Sequence, residues 1–307
     1  REGTTLGGFK IEHLLGKGGM GEVYLARQLS MDRLVALKIL PAQLCTDKSA
    51  ENRFLQEVRV LAKLDHPNIV AAHEAGKDGG VLFLAMGYVK GQSLEDRIKR
   101  EGHLPWKDAC GLVKKLASAL DYAWEKHHVL HRDIKPANVL LDDGGEPKLV
   151  DMGLAKRLGS HEGLTMSGTV MGTPNYMSPE QIESIGDLDF RADMYSLGAT
   201  LWHMLTGQSP YKGSSLMDTL RKQATEPLAD PRKYVPETPE SVVALLEVML
   251  AKNREYRHES WVALIADIQR VLSGRMPQRH PPEAGGSMLI HGLARKSTPG
   301  PQPAAVR

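Results

Sequence analysis

One eight-residue stretch constrains this chain more than any other: His131-Arg132-Asp133-Ile134-Lys135-Pro136-Ala137-Asn138. Asp133 and Asn138 stand in a loop after a helical pattern and before a short apolar run, Val139-Leu140-Leu141, and Asp151 then heads Asp151-Met152-Gly153. A carboxylate able to meet a hydroxyl proton, with an amide and a second carboxylate able to hold a divalent metal, is the minimum apparatus for moving a phosphoryl group. By itself the stretch could equally be an exposed turn with a few charges. The reading therefore depends on whether further parts stand in the right order elsewhere.

Upstream, Phe9 to Leu15 alternates loosely and predicts a strand, and Glu22-Val23-Tyr24-Leu25-Ala26 predicts another. Between them lies Gly16-Lys17-Gly18-Gly19-Met20-Gly21. A dinucleotide fold places such glycines between a strand and a helix. Here a strand follows, so a phosphate-covering hairpin is the better reading, with a plain flexible hairpin tip as its alternative. Val35-Ala36-Leu37-Lys38-Ile39 predicts a buried strand with one lysine. A lysine there is costly unless paired, so Lys38 either holds nucleotide phosphates or faces solvent from an edge strand. Ser49 to Leu64 has helical spacing (Phe54, Val58, Leu61, Ala62), and its Glu57 could partner Lys38.

His66-Pro67-Asn68 breaks that helix; Ile69 to Ala72 and Val81 to Met86 predict two more strands. Gly87-Tyr88-Val89-Lys90-Gly91 divides a strand-rich first part from a helix-rich second part, which opens with a weak capping box at Ser93-Leu94-Glu95-Asp96. Leu112, Val113, Leu116, Ala119, Leu120 and Ala123 predict a long helix leading into His131. Arg157 to Thr169 has the composition of a mobile loop and carries Ser160, Thr165, Ser167 and Thr169. Helices are expected from Asp193 to Gly207, over Val242 to Leu250 and over Trp261 to Leu272. From about Arg275 prolines and glycines predict a linker or disordered tail.

The 307 residues, 41% hydrophobic and 25% charged, suffice for two domains or one two-lobed domain. A net charge of +2 gives no bias toward nucleic acid or membrane surfaces. Cys45 and Cys110 are far apart and have no metal-like spacing, which fits a reducing compartment. No run of roughly 18 apolar residues and no signal peptide is visible. The chain starts at Arg1 rather than Met and is expected to be part of a longer protein.

Taken together, the glycine loop, Val35-Ala36-Leu37-Lys38, Glu57, His131-Arg132-Asp133, Asn138, Asp151-Met152-Gly153 and Ser178-Pro179-Glu180 stand in an order that resembles the protein-kinase signature set over about Phe9 to Leu272. The glycine loop and Gly172 to Glu180 look most like bacterial eukaryotic-like serine/threonine kinases. The resemblance implies an α+β, two-lobed fold: an extension over 1–8, a kinase domain over 9–275 (small antiparallel lobe with one main helix 9–86, hinge 87–91, mostly helical lobe 92–275) and a tail over 276–307. It implies ATP bound by Gly16, Lys17, Gly18, Gly21, Val23, Ala36, Lys38, Met86, Gly87 and Val89. Lys38 would hold phosphates and pair with Glu57 in the active state, and Asp133 would meet the acceptor hydroxyl. Asn138 and Asp151 would ligate Mg²⁺ (or Mn²⁺).

Lys135 would stabilise the γ-phosphate and, with Thr173 before Pro174, favours Ser/Thr acceptors. Arg132 would pair with an autophosphorylated Thr165, Ser167 or Thr169. The implied partners are protein substrates and ATP, with no nucleic acid. The implied location is cytoplasmic, as a free kinase or as the cytosolic part of a membrane-anchored receptor; homodimerisation is left open. Three positions depart from the pattern: Met152 replaces Phe, Ser178 replaces Ala and Gly87 replaces Glu. Met152 is apolar and adaptable enough to fill the same pocket, and Glu180 is expected to pair with Arg257. The same residues could also build a non-catalytic ATP-binding scaffold, which the presence of Lys38, Asp133 and Asp151 weighs against. A small-molecule kinase is weighed against by Thr173 to Glu180.

Overall fold

A computed structural model describes residues 1–18, 21–41, 48–152, 174–183, 186–280 and 289–290. The alternating patterns of the first part fold as a six-stranded antiparallel sheet in the order β1-β2-β3-β4-β6-β5. Its strands are β1 (Thr5–Leu6), β2 (Phe9–Gly18), β3 (Gly21–Gln28), β4 (Arg33–Ile39), β5 (Ala72–Asp78) and β6 (Val81–Gly87). Successive side chains of a strand point to opposite faces. Val35, Leu37 and Ile39 accordingly join Phe9, Ile11, Tyr24, Ala26, Phe83 and Ala85 in a core on one face. Leu40, Leu82, Leu84 and Met86 pack on the other against Phe54 and Val58 of helix α1 (Lys48–Leu61). Ala36 and Lys38 share this second face, so it carries both a core and the groups that face the large lobe.

Two details differ from the sequence expectation. The segment ahead of Phe9 supplies the edge strand β1, paired to β2 through Thr5↔Lys10 and Leu6↔Phe9. The strand expected over 69–72 runs instead from Ala72 to Asp78. Ile69 and Val70 are apolar because they lie against the large lobe: Val70 N–H donates to Leu149 O (2.9 Å), and Leu149 N–H donates to Asn68 O (2.8 Å). The true strand, Ala-His-Glu-Ala-Gly-Lys-Asp, is a polar sheet edge and shows no hydrophobic alternation.

Past Gly87 the chain enters a helical lobe with a small sheet, β7-β8-β9, formed by Gly91–Ser93, Val139–Asp142 and Pro147–Leu149. Its helices are α2 (Leu94–Glu101), α3 (Trp106–His127), α4 (Pro179–Ile182), α5 (Phe190–Thr206), α6 (Leu216–Thr225), α7 (Glu240–Met249) and α8 (Trp261–Leu272). Ser93 caps α2, accepting from Asp96 N–H at 3.0 Å, as its capping-box pattern predicts. Helix α5 is buried at every position from Ala192 to Thr206, which is how a helix apolar on all sides occupies the centre of a lobe. It begins at Phe190, capped by Asp189, three residues before the Asp193 at which its pattern becomes recognisable. It ends at Gly207 (φ +67°), where a Cβ would sit 1.9 Å from Gly102 O, so glycine alone fits.

Helix α6 carries only Thr219, Leu220 and Gln223 buried, too little periodicity to predict from sequence. Past α8 the chain stays tied to the lobe as far as His280, with Gln278 and Arg279 N–H donating to Asp267 (2.6 and 3.0 Å). Two-residue strands β10 (Leu228–Ala229) and β11 (Leu289–Ile290) pair in parallel; the rest of the Pro/Gly-rich tail lies outside the described residues. Among the described residues no helix is long and apolar enough to cross a membrane.

Candidate active site

The glycine loop is a hairpin between two strands, as its sequence predicts: Gly16↔Val23, Lys17↔Glu22 and Gly18↔Gly21 are opposed across β2 and β3. Its three described glycines differ in kind. Gly21 (φ +116°) could not bear a Cβ, which would lie 2.0 Å from Ile39 O. Gly16 and Gly18 have nothing within 4 Å of that position, so the fold itself does not require glycine there. The exposed Lys17 pairs with Glu22 at 3.1 Å. Cross-strand partners share a face, and the register Val23↔Lys38, Ala36↔Met86 and Val35↔Gly87 gathers Val23, Ala36, Lys38 and Met86 on the face toward the large lobe. Gly87 donates its N–H to Ala71 O (3.0 Å). A Cβ at Gly87 would make only ordinary contacts, and Val89 is half-buried in the connector.

Lys38 is 4% exposed. Among the described residues its ion pair is with Asp151, Nζ to Oδ1 2.7 Å, which joins the small lobe to the large one. Glu57 lies half-buried on α1, the helix packed against the same face. Met152, which follows Asp151, is buried in the large-lobe core, filling the place its apolar character predicts.

Asp133 is held from two sides. Lys135 Nζ donates to its Oδ2 at 2.9 Å, and Asn138 Nδ2 donates to the same oxygen at 2.9 Å and to the Asp133 carbonyl at 2.8 Å. Both Asn138 bonds use the amide nitrogen. The buried His131 ring accepts Asp133 N–H through Nδ1 (3.3 Å), so Nε2 carries the proton and donates to Val150 O (3.0 Å). Arg132 and Asp151 are non-glycine residues in the left-handed region, with φ of +66° and +59°. This conformation disfavours a residue with a Cβ by about 1–2 kcal/mol.

What holds Arg132 there is Asp193, whose Oδ1 accepts Arg132 N–H and whose Oδ2 accepts His131 N–H, both at 2.7 Å. Gln181 Nε2 donates to Arg132 O at 3.0 Å. Burial pushes the Asp193 carboxyl up, against the pull of His131 and the two backbone donors. Neither Asp193 nor Gln181 was among the sequence candidates. The available signal was a carboxylate near the start of a helix apolar on every side, since such an anion needs dedicated donors. Thr165, Ser167 and Thr169 lie outside the described residues. The expected Glu180–Arg257 pair is present, bidentate and buried, at 2.5 and 2.9 Å, with Arg257 also stacked over Tyr195 at 5.0 Å.

Residues 9–266 match the protein kinase domain family. The chain belongs to that family. This kinase domain is 34% identical over 263 residues to serine/threonine-protein kinase PrkC of Bacillus subtilis, covering 86% of this chain and 40% of that protein. It is 36% identical over 306 residues to serine/threonine-protein kinase pkn3 of Myxococcus xanthus, covering 96% and 56%. It thus spans about half, or less, of the length of these relatives. The crystal structure of the PknI kinase domain of Mycobacterium tuberculosis superposes with a TM-score of 0.70 at 30% identity, over 88% of this chain and 98% of that one.

Proposed function

We propose that this kinase domain transfers the γ-phosphoryl group of ATP to serine and threonine hydroxyls of protein substrates. The observation that carries the reading is the Asp133 carboxylate fixed by Lys135 and Asn138, together with a second carboxylate, Asp151, that is tied to a buried lysine. The donor set suits Mg²⁺ on a nucleotide: among the described residues no cluster of three or more His, Cys, Asp or Glu gathers. Magnesium usually takes one or two carboxylates plus substrate phosphates rather than a protein cage. Asn138 through its amide oxygen and Asp151 through its carboxylate would hold it, and when bound it would offset charge on the phosphate oxygens.

The chain's own residues do the rest. Asp133 orients the acceptor hydroxyl and receives its proton, while Lys135, beside Asp133, would meet charge on the transferring group. Lys38, now paired with Asp151, would turn to the α and β phosphates and to Glu57 as the site loads. The open positions at Gly16 and Gly18 allow the hairpin backbone to approach those phosphates, with adenine against Met86, Gly87 and Val89. Arg132 would receive a phosphate on Thr165, Ser167 or Thr169.

The test is labelled ATP with Mg²⁺ and a generic protein substrate, for the wild type and Asp133→Asn. Loss of a positioned base should reduce transfer about 10²–10⁴-fold. Equal labelling by both proteins refutes the assignment, and nucleotide binding with no transfer by the wild type supports a scaffold instead. Mass spectrometry after incubation with Mg-ATP should find phosphate between Ser160 and Thr169.

A further inference from the structure

Just past α7, Lys252 turns its ammonium into the large lobe, where three oxygens meet it: Tyr195 Oη at 3.0 Å, Tyr211 Oη at 2.8 Å and the carbonyl of Gln223. An ammonium has three N–H donors, so each has an acceptor here. Its charge also lies 5.4 and 4.7 Å from the ring centroids of Tyr195 and Tyr211. The three acceptors belong to α5, to the loop after it and to α6, so one side chain joins three pieces of the lobe.

Stability alone gives little reason for a lysine in this place. Burial, with Arg257 nearby, pushes its ammonium down to about 7, against the pull of Glu226. An apolar side chain of similar length would fill the space without the cost of taking a charge out of water. What the ammonium supplies is a fixed Gln223. That residue is completely buried; its carbonyl accepts from Lys252, and its Nε2 donates to Met177 O and, at 3.4 Å, to Tyr195 Oη. Its Oε1 is buried and meets no donor among the described residues, so the amide is oriented for Met177 at the expense of its own oxygen. Tyr211, the second acceptor, has its backbone carbonyl bonded to Asn175 Nδ2 at 2.7 Å. Two routes therefore lead from Lys252, each through one residue, to the segment from Asn175 to Met177.

That segment runs into Ser178, whose backbone N–H donates to Gln181 Oε1 at 3.0 Å, and Gln181 Nε2 donates to Arg132 O, one residue before Asp133. A protein presenting a hydroxyl to Asp133 brings the residues flanking that hydroxyl beside the segment, whereas the nucleotide lies toward Lys38. We propose that Lys252 is a positioning residue for the protein substrate, holding Asn175 to Met177, chiefly through Gln223, in the shape the substrate meets. The proposal rests on the kinase reading above and extends it to a residue outside the site.

The experiment is steady-state kinetics with dephosphorylated casein and Mg-ATP varied separately, together with thermal unfolding. The proteins are the wild type, Lys252→Met, Gln223→Met and the double variant. Lys252→Met should raise the KM for casein about tenfold, the scale of one lost hydrogen bond to a charged group, with the KM for ATP within about twofold and Tm unchanged or higher. Gln223→Met should also raise the KM for casein, and the double variant should raise it by less than the product of the two single effects, because both act on one contact. An unaltered KM for casein in either single variant, a KM for ATP that rises in parallel, single effects that multiply, or a single variant that does not fold would each overturn the proposal while leaving the kinase reading intact. A wild-type protein that labels neither casein nor any other protein overturns both.

Discussion

Substituting Asp193 by asparagine separates what holds the catalytic loop from what does chemistry in it. The change keeps the shape but leaves one acceptor oxygen where two backbone donors, His131 N–H and Arg132 N–H, each have one at 2.7 Å. One buried N–H then faces an amide NH₂, at a cost of about 1–3 kcal/mol, and the remaining bond loses its ionic assistance, about 1 kcal/mol more. Burial already disfavours the carboxylate, so removing its charge returns part of this. A net loss of about 2–3 kcal/mol corresponds to a fall in Tm of about 4–6 °C for a domain of this size.

The functional consequence should be larger than the thermal one. With one of the two acceptors gone, Arg132 is held less firmly in the left-handed region, and Asp133 shifts with it. A displacement on the order of 1 Å at a reacting group can lower turnover about 10²-fold. ATP affinity should change little, because Asp193 touches neither the hairpin nor Lys38. Thermal unfolding and single-turnover phosphoryl transfer at saturating ATP measure the two effects. An Asp193→Asn protein with Tm within about 1 °C of the wild type and an unaltered rate would show that the loop holds its shape without this contact.

Other outcomes follow from the same structure. Gly21→Ala should lower Tm by several degrees, since its Cβ would collide with Ile39 O, whereas Gly18→Ala should leave Tm unchanged and weaken ATP binding in calorimetry. Arg257→Leu should destabilise by about 3–5 kcal/mol in denaturant titrations by leaving the Glu180 carboxylate buried alone. His203 has a folded value of about 4 against about 6.5 when unfolded, so the unfolded chain takes up the proton first. Its contribution, about 3 kcal/mol, is therefore present above pH 6.5 and lost as pH falls from 6.5 toward 4. His203→Gln should flatten the dependence of Tm on pH across that window.

The parts that were legible in the sequence are those where one residue type has one physical reason to be there. Gly21 is required by a close approach of backbone, Met152 by a hydrophobic place behind Asp151, and Glu180 and Arg257 by each other. The two-lobed division was legible too, because the period of apolar residues changes across Gly87 to Gly91. The misplaced parts lack that link. Strand β5 is a solvent-facing edge whose hydrogen bonds carry it rather than its side chains. Helix α6 buries too little to show a period. The Lys38–Asp151 pair and the grip of Asp193 on the catalytic loop join residues more than sixty positions apart, and no local pattern encodes such a meeting.

Helix α5 has no face toward solvent between Ala192 and Thr206, and this sets a timescale as well as a shape. It cannot fray without opening the lobe around it. The amide hydrogens of His131 and Arg132, bonded to its Asp193, should therefore exchange with deuterium only through global unfolding. Those of Lys17 and Gly18 at the exposed hairpin end should exchange through local opening alone. The loop His131–Asn138 and the strand ends at Lys17 and Gly18 would then sit at opposite ends of the protein's range of local stabilities.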